Sequence, residues 1–224
     1  MARSQAGVIA FRLDRRSNLH RGASLGIKGA VDPSLLTLLA ELAAFGEAND
    51  ARETARPRRM LNITPDTGRL LWILVRLARP RRILEVGTSN AYSTIWLADA
   101  ARHVGARVIT LEANPDKARL ARENLARAGV ADVVEIVAGP AEESLGRLAG
   151  PFELVFLDAD RASYLGYLEA ITPKMPAGAL LVADNAVSHA SELVDYLARI
   201  ESHPDFFAVT VPVGNGEAIA LKLR

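Results

Sequence analysis

The chain has 224 residues, half of them hydrophobic and 24% charged, with a formal net charge of +1. That length suits one sizeable domain with its own core, and the near-neutral charge gives no reason to expect nucleic acid or an acidic membrane as partner. Without cysteine, disulfides, thiolate metal sites and thiol nucleophiles are excluded.

Residues 1–30 carry Arg3, Arg12, Arg15, Arg16, Arg21 and Lys28 against Asp14 alone. They lack a periodic apolar face and are expected to form a basic extension. The opening "MARSQAGVIAFRLDRR" has no sustained apolar core of a secretion signal. No run approaches the roughly 18 apolar residues of a membrane span. A cytoplasmic protein is the expectation, with a single domain over 31–224.

"VDPSLLTLLAELAAFGEA" has apolar residues at helical spacing behind an Asp-Pro start. "ARETARPRRM" reads as a charged loop. "TPDTGRLLWILVRLARP" predicts a helix capped by Thr64, with Pro65 in its first turn and an end before Pro80. Helices over 31–80 thus precede a core over 81–224. In the core, short apolar strands alternate with helices. "RILEVG", "RVITLEA", "VVEIVAG", "FELVFLDAD" and "GALLVADN" are the strands. The helices run through "AYSTIWLADAAR", "PDKARLARENLARAG", 141–148, 162–172 and "ASELVDYLARIES". "FFAVTVPVGNGEAIALKL" closes the chain as two strands joined through Gly214-Asn215-Gly216, a hairpin signal. The pattern predicts an α/β fold: a Rossmann-like, doubly wound sheet of seven strands, mostly parallel, with a C-terminal antiparallel hairpin.

Ligands of such sheets sit beyond the carboxyl ends of the strands. At the first end, Gly87 would let a ligand approach the backbone, and Glu85 could meet a ligand ammonium group. The turn is not GxGxxG, since the next small residue is Ala91. Glu112, ending the second strand, could accept bonds from both hydroxyls of a ribose or stand as a solvated carboxylate. Ala141, after the third, could let an adenine lie against the backbone. The fourth and fifth strands end on "FLDADRASY" and "LLVADN", which place Asp158, Asp160 and Asp184 where apolar runs stop.

Together, "RMLNITPDTGRLL", "ILEVGTSNAYS", "LEANPDKARLARENL", "LDADRASY", "DN" and "PVGNG" resemble the cation-dependent O-methyltransferases, the family of catechol and caffeoyl-coenzyme A methyltransferases. The resemblance spans residues 58–224 in order and implies S-adenosylmethionine as methyl donor. It implies that Ile63, Glu85, Gly87, Thr88, Ser93, Glu112, Ala141 and Asp158 line the cofactor pocket. It also implies that Asp158, Asp184 and Asn185 hold a divalent cation, usually Mg²⁺, for which an all-oxygen set is suited. A small hydroxylated acceptor with neighbouring oxygens and a homodimer follow from the same resemblance.

Three positions depart from the family. Arg161 stands where relatives carry a lysine credited with deprotonating the substrate, and a guanidinium cannot serve as that base. It could stabilise an oxyanion, or form an ion pair with Asp160 or Glu169. His189 could take the proton instead. Ala91 replaces a glycine, and "DNAVSH" lacks the acceptor-side residues of plant relatives. Competing readings are a methyltransferase without metal dependence and a non-catalytic adenosylmethionine-binding protein. A nicotinamide-dependent dehydrogenase is disfavoured without GxGxxG, and an N-methyltransferase without an Asn/Asp-Pro-Pro-Tyr run.

Overall fold

The computed structural model describes residues 31–224; the expected basic extension over 1–30 lies outside the described residues. Helix α1 (Pro33–Asp50) starts where the Asp32 carboxylate accepts from Ser34 N at 2.7 Å. Helix α2 (Pro65–Ala78) starts at Thr64, whose Oγ1 accepts from Thr67 N at 3.2 Å. Both use a capping oxygen followed by proline in the first turn, where the missing N–H costs nothing. α2 lies against α3 (Tyr92–Val104), and Gly68 permits it: a Cβ there would sit 2.3 Å from Trp96 Nε1.

The core alternates β1 (Arg82–Val86), α3, β2 (Arg107–Glu112), α4 (Pro115–Arg127), β3 (Val134–Ala138), α5 (Ala141–Arg147), β4 (Leu154–Leu157), α6 (Tyr164–Ile171), β5 (Leu180–Ala183) and α7 (Val194–Glu201). β6 (Phe206–Val211) and β7 (Glu217–Lys222) end it. The strands form one sheet in the order β3-β2-β1-β4-β5-β7-β6. The first five pair in parallel, while β7 runs antiparallel to both β5 and β6. The hairpin therefore folds back, and its second strand enters the sheet before its first. Apolar side chains from α1–α4 cover one face of the sheet, around Ile83, Phe156 and Val182. Those of α5–α7 cover the other, around Leu84, Val155 and Leu181. Fully burying each such side chain contributes about 1.5–3 kcal/mol.

The last helix begins later than its pattern suggests, at Val194 rather than Ala190. The segment after β5 is first bound to the hairpin turn, Ala186 N to Gly216 O at 2.8 Å and Ser188 N to Asn215 O at 2.8 Å. Those bonds hold the chain out of helical geometry until it clears the turn.

Candidate active site

β1 and β4 are neighbours although β2 and β3 separate them in sequence, so the strand order reverses between them. A crevice opens at the carboxyl ends of strands at such a point. Its lining includes Met60, Ile63, Gly87, Thr88, Ser93 and Asp158. The strap Met60–Ile63 is fastened from two sides. The Asp50 carboxylate accepts from Met60 N at 2.6 Å and Leu61 N at 2.8 Å, and Ser89 Oγ donates to Met60 O at 2.6 Å. Burial opposes ionisation of Asp50, but bonds from Asn49, Leu61 and Met60 and the charge of Arg59 outweigh it and lower its pKa.

The turn after β1 is wound through left-handed backbone at Gly87, Ser89 and Ala91. Gly87 lines the crevice as expected and has a second role that the sequence did not signal. The place of its missing Cβ is filled by the Asp158 carbonyl, 2.1 Å away, so the glycine lets the ends of β1 and β4 close on each other. Ala91 caps α3 at φ 68° with its methyl fully buried. Left-handed strain of about 1–2 kcal/mol is thus partly offset by burying one carbon, about 0.8 kcal/mol.

Glu85 differs from expectation. It is 0% exposed, and its oxygens accept from Ser93 Oγ at 2.5 Å, Thr94 Oγ1 at 2.5 Å and Thr110 Oγ1 at 2.6 Å. Burial pushes its pKa up to about 7 even against those three bonds. With its acceptor sites taken inside the protein, this carboxyl braces the turn and does not present a free face to the crevice. Thr88 joins the same network through Thr110 Oγ1 at 2.6 Å.

Glu112 reaches across from β2, accepting from Ser89 N at 2.7 Å and Asn114 N at 2.8 Å. Two backbone amides thus aim its carboxylate at the turn while leaving lone pairs free. Lys117, from the first turn of α4, is turned toward Glu112, Asp50 and Asp158, its pKa lowered by burial against their pull. The sequence reading missed this lysine, which carries no motif of its own. Ala141 opens α5 beyond the end of β3, on the same rim but outside the crevice lining around Gly87.

On the other side of the crevice, Asp158, Asp184 and Asn185 converge from β4 and β5. Asn185 Nδ2 lies 3.0 Å from Asp184 Oδ2 and 3.5 Å from Asp158 Oδ1. Asn185 takes φ 71°, which turns its amide back between the two acids. Burial raises the pKa of Asp158 well above the carboxylate range, and Asp184 and Glu85 push the same way against Arg161 and Lys117. Burial likewise raises that of Asp184. A positive charge between them would relieve both. Among the described residues no cluster of three or more His, Cys, Asp or Glu could hold a metal; this set is two carboxylates and an amide. Each of the three carries an oxygen suited to a hard cation; Asn185 would offer its own by turning its amide, whose Nδ2 faces the acids here.

Arg161 is nearly buried, its side chain 9% exposed, and both Nε and Nη2 lie 2.8 Å from Glu192 Oε2. Its ion pair is therefore with Glu192, 31 residues on, and not with Asp160 or Glu169. His189 is half-buried on the turn after Asn185, its Nδ1 2.8 Å from Ser188 Oγ.

A mixed seven-stranded sheet with a glycine turn after β1, an acid ending β2 and a polar cluster ending β4 and β5 defines a Rossmann-like protein of the methyltransferase type. Residues 39–201 match the model of the O-methyltransferase family, and the chain belongs to that family. A catechol O-methyltransferase of Mycobacterium tuberculosis is 43% identical over 157 residues, 70% of this chain and 66% of that relative. The chain thus spans just under two thirds of the relative's length. Two crystal structures share the fold: cofactor-bound Rv0187 from MTB, at 36% identity and TM-score 0.71 over 88% of this chain and 92% of that one, and an O-methyltransferase from Bacillus cereus in complex with SAH, at 30% identity and TM-score 0.70 over 83% and 90%. No helix among the described residues is long and apolar enough to cross a membrane.

Proposed function

We propose that the chain is an S-adenosylmethionine-dependent O-methyltransferase acting on a small catechol-like molecule with vicinal oxygens, assisted by a divalent cation such as Mg²⁺. The observation that carries this reading is the convergence of Asp158, Asp184 and Asn185 beside the crevice where the strand order reverses between β1 and β4. S-adenosylmethionine supplies an electrophilic sulfonium methyl. A divalent cation at the three oxygen donors lowers the pKa of a hydroxyl it coordinates.

The protein's own work is holding and orienting. Glu112, aimed by Ser89 N and Asn114 N, accepts from ribose hydroxyls. Gly87, Thr88 and Ile63 line the path of the methionine part, and the Glu85–Ser93 network keeps their turn in shape. Ala141 borders the adenine side. Val86 and Leu157, fully buried at the strand ends beneath Asp158, keep away water that would compete for the methyl. Arg161, fixed by Glu192, keeps positive charge near Asp158 and Asp184 and steadies an acceptor oxyanion. His189, with Nδ1 engaged by Ser188, has Nε2 left to receive the acceptor proton.

Methyl transfer to catechols, measured with and without EDTA, tests the whole reading; no transfer to any vicinal diol overturns it. Transfer without a cation is a second reading, favoured by the Asn185 amide already lying between the two acids, and full activity in EDTA would select it. Glu112→Ala should weaken adenosylmethionine binding by about 1.5–3 kcal/mol, the range for hydrogen bonds to a charged group, as read by calorimetry. Unchanged affinity would return Glu112 to a solvated role.

A cytoplasmic homodimer belongs to the same proposal. Phe207 and Val209 on outer strand β6, 71% and 55% exposed, offer it an apolar surface. Light scattering should give twice the chain mass, and a monomer at micromolar concentration would count against it.

A further inference from the structure

One buried acid has no part in that scheme. Glu217 opens β7 directly behind the Gly214-Asn215-Gly216 turn and is 0% exposed. A leucine or valine could fill such a position without the cost of burying an acid. Its Oε1 accepts from Thr67 Oγ1 at 2.9 Å. Its Oε2 and the Oδ1 of Asp184 are both buried, and neither meets an N–H or O–H donor of another residue. The antiparallel register that sets Ala183 against Ala218 brings Asp184 and Glu217 opposite each other, so the two orphaned oxygens belong to neighbouring acids. Asp184 is therefore divided: Oδ2 accepts from Asn185, leaving Oδ1 on the side of Glu217.

The supports of Glu217 are rigid. Thr67 Oγ1 also lies 3.2 Å from Thr64 Oγ1 at the start of α2. A Cβ on Gly214 would fall 2.2 Å from Thr67 Oγ1 and 2.4 Å from Thr64 Oγ1, so the hairpin turn sits directly on the threonine pair. A Cβ on Gly216 would fall 2.3 Å from Val187 Cγ2. From the other side, Ala186 N and Val187 N bond the turn's carbonyls at 2.8 and 3.1 Å. The stretch that follows the acid pair and the stretch that begins α2 thus clamp one turn, and Glu217 projects from it onto Asp184.

We propose that Glu217 is a positioning residue for the cation: it holds Oδ1 of Asp184 and so turns Oδ2 toward Asp158 and Asn185. The assignment rests on the cation reading of those three residues. Outer-shell partners of this kind govern metal affinity through the orientation of the ligand they hold. The Thr64–Thr67 pair extends the hold to α2, so the ligand on β5 is fixed against a helix on the far side of the hairpin.

The test is Mn²⁺ binding to the full chain, read by electron paramagnetic resonance, with adenosylhomocysteine affinity and thermal midpoint measured alongside. Glu217→Gln keeps the shape and offers Asp184 an N–H, so Mn²⁺ affinity should stay within about threefold of wild type. Glu217→Leu should weaken it by about 10–100-fold, as loss of an outer-shell partner does, while adenosylhomocysteine affinity holds. Mn²⁺ affinity of a folded Glu217→Leu equal to wild type would overturn the assignment, as would a Gln variant as weak as the Leu one. If the Leu variant does not fold, Thr67→Val, which releases Oε1 only, should still weaken Mn²⁺ by about tenfold, the small end of outer-shell effects. No change there would also overturn it. Wild type binding Mn²⁺ no better than Asp158→Ala would instead refute the cation reading itself.

Discussion

Asp158→Ala is expected to cut methyl transfer to a catechol by about 10³-fold or more. A cation that stabilises charge in the transition state contributes several kcal/mol, and each 1.36 kcal/mol is about tenfold in rate. In the proposed cation site Asp158 would supply one of the two charged ligands, so its loss would remove both the charge and the geometry of the set. Cofactor affinity should fall far less, because Glu112 stands on another strand with its own two amide anchors. Stability should not fall with activity. Asp158 is held near Asp184 and Glu85 with its pKa raised, so removing it relieves repulsion in the metal-free protein. A variant with an undiminished melting temperature and no transfer is the expected pair of results. Full transfer by Asp158→Ala in EDTA would show that neither the carboxylate nor a cation is needed.

Gly87→Ala should have the largest effect on stability, about 3 kcal/mol or more by urea unfolding. Two costs add. Backbone at φ 107° strains any residue with a Cβ by about 1–3 kcal/mol. The methyl would also meet the Asp158 carbonyl at 2.1 Å, and overpacking of that kind costs about 1–3 kcal/mol. Gly139→Ala separates them, since Gly139 has φ 124° but nothing within 4 Å of its would-be Cβ. It should carry the strain alone. Equal losses in the two variants would mean that β1 and β4 yield easily. The clash also has a functional side: the carbonyl belongs to the residue whose carboxylate meets Asn185, so forcing the strand ends apart should disturb the acid cluster too.

Much of the scaffold was legible because its signals are local. Thr64 and Pro65 start α2 where a capping oxygen followed by proline should. Short continuous apolar runs became strands, and apolar residues at helical spacing became helices. Since every parallel strand was followed by a helix, the carboxyl ends of five strands had to share one edge. That alone brought Glu112, Asp158 and Asp184 to the same rim. The start of α7 was missed because bonds from Ala186 and Ser188 to the hairpin turn compete with helix formation, and those partners lie about thirty residues away.

The sequence by itself determined the kind of sheet, the rim that carries the polar residues and the family. Each depends on periodicity, capping and the order of residue types along the chain. Only the tertiary structure decided how those residues pair. β7 enters the sheet between β5 and β6, which brings Glu217 onto Asp184. Glu192, not a nearer acid, meets Arg161. Three hydroxyls from two elements enclose Glu85, and the Asp158 carbonyl occupies the place of a Cβ at Gly87. In each case the deciding neighbour comes from another strand or helix, and which strands lie side by side leaves no trace in the local pattern of either one.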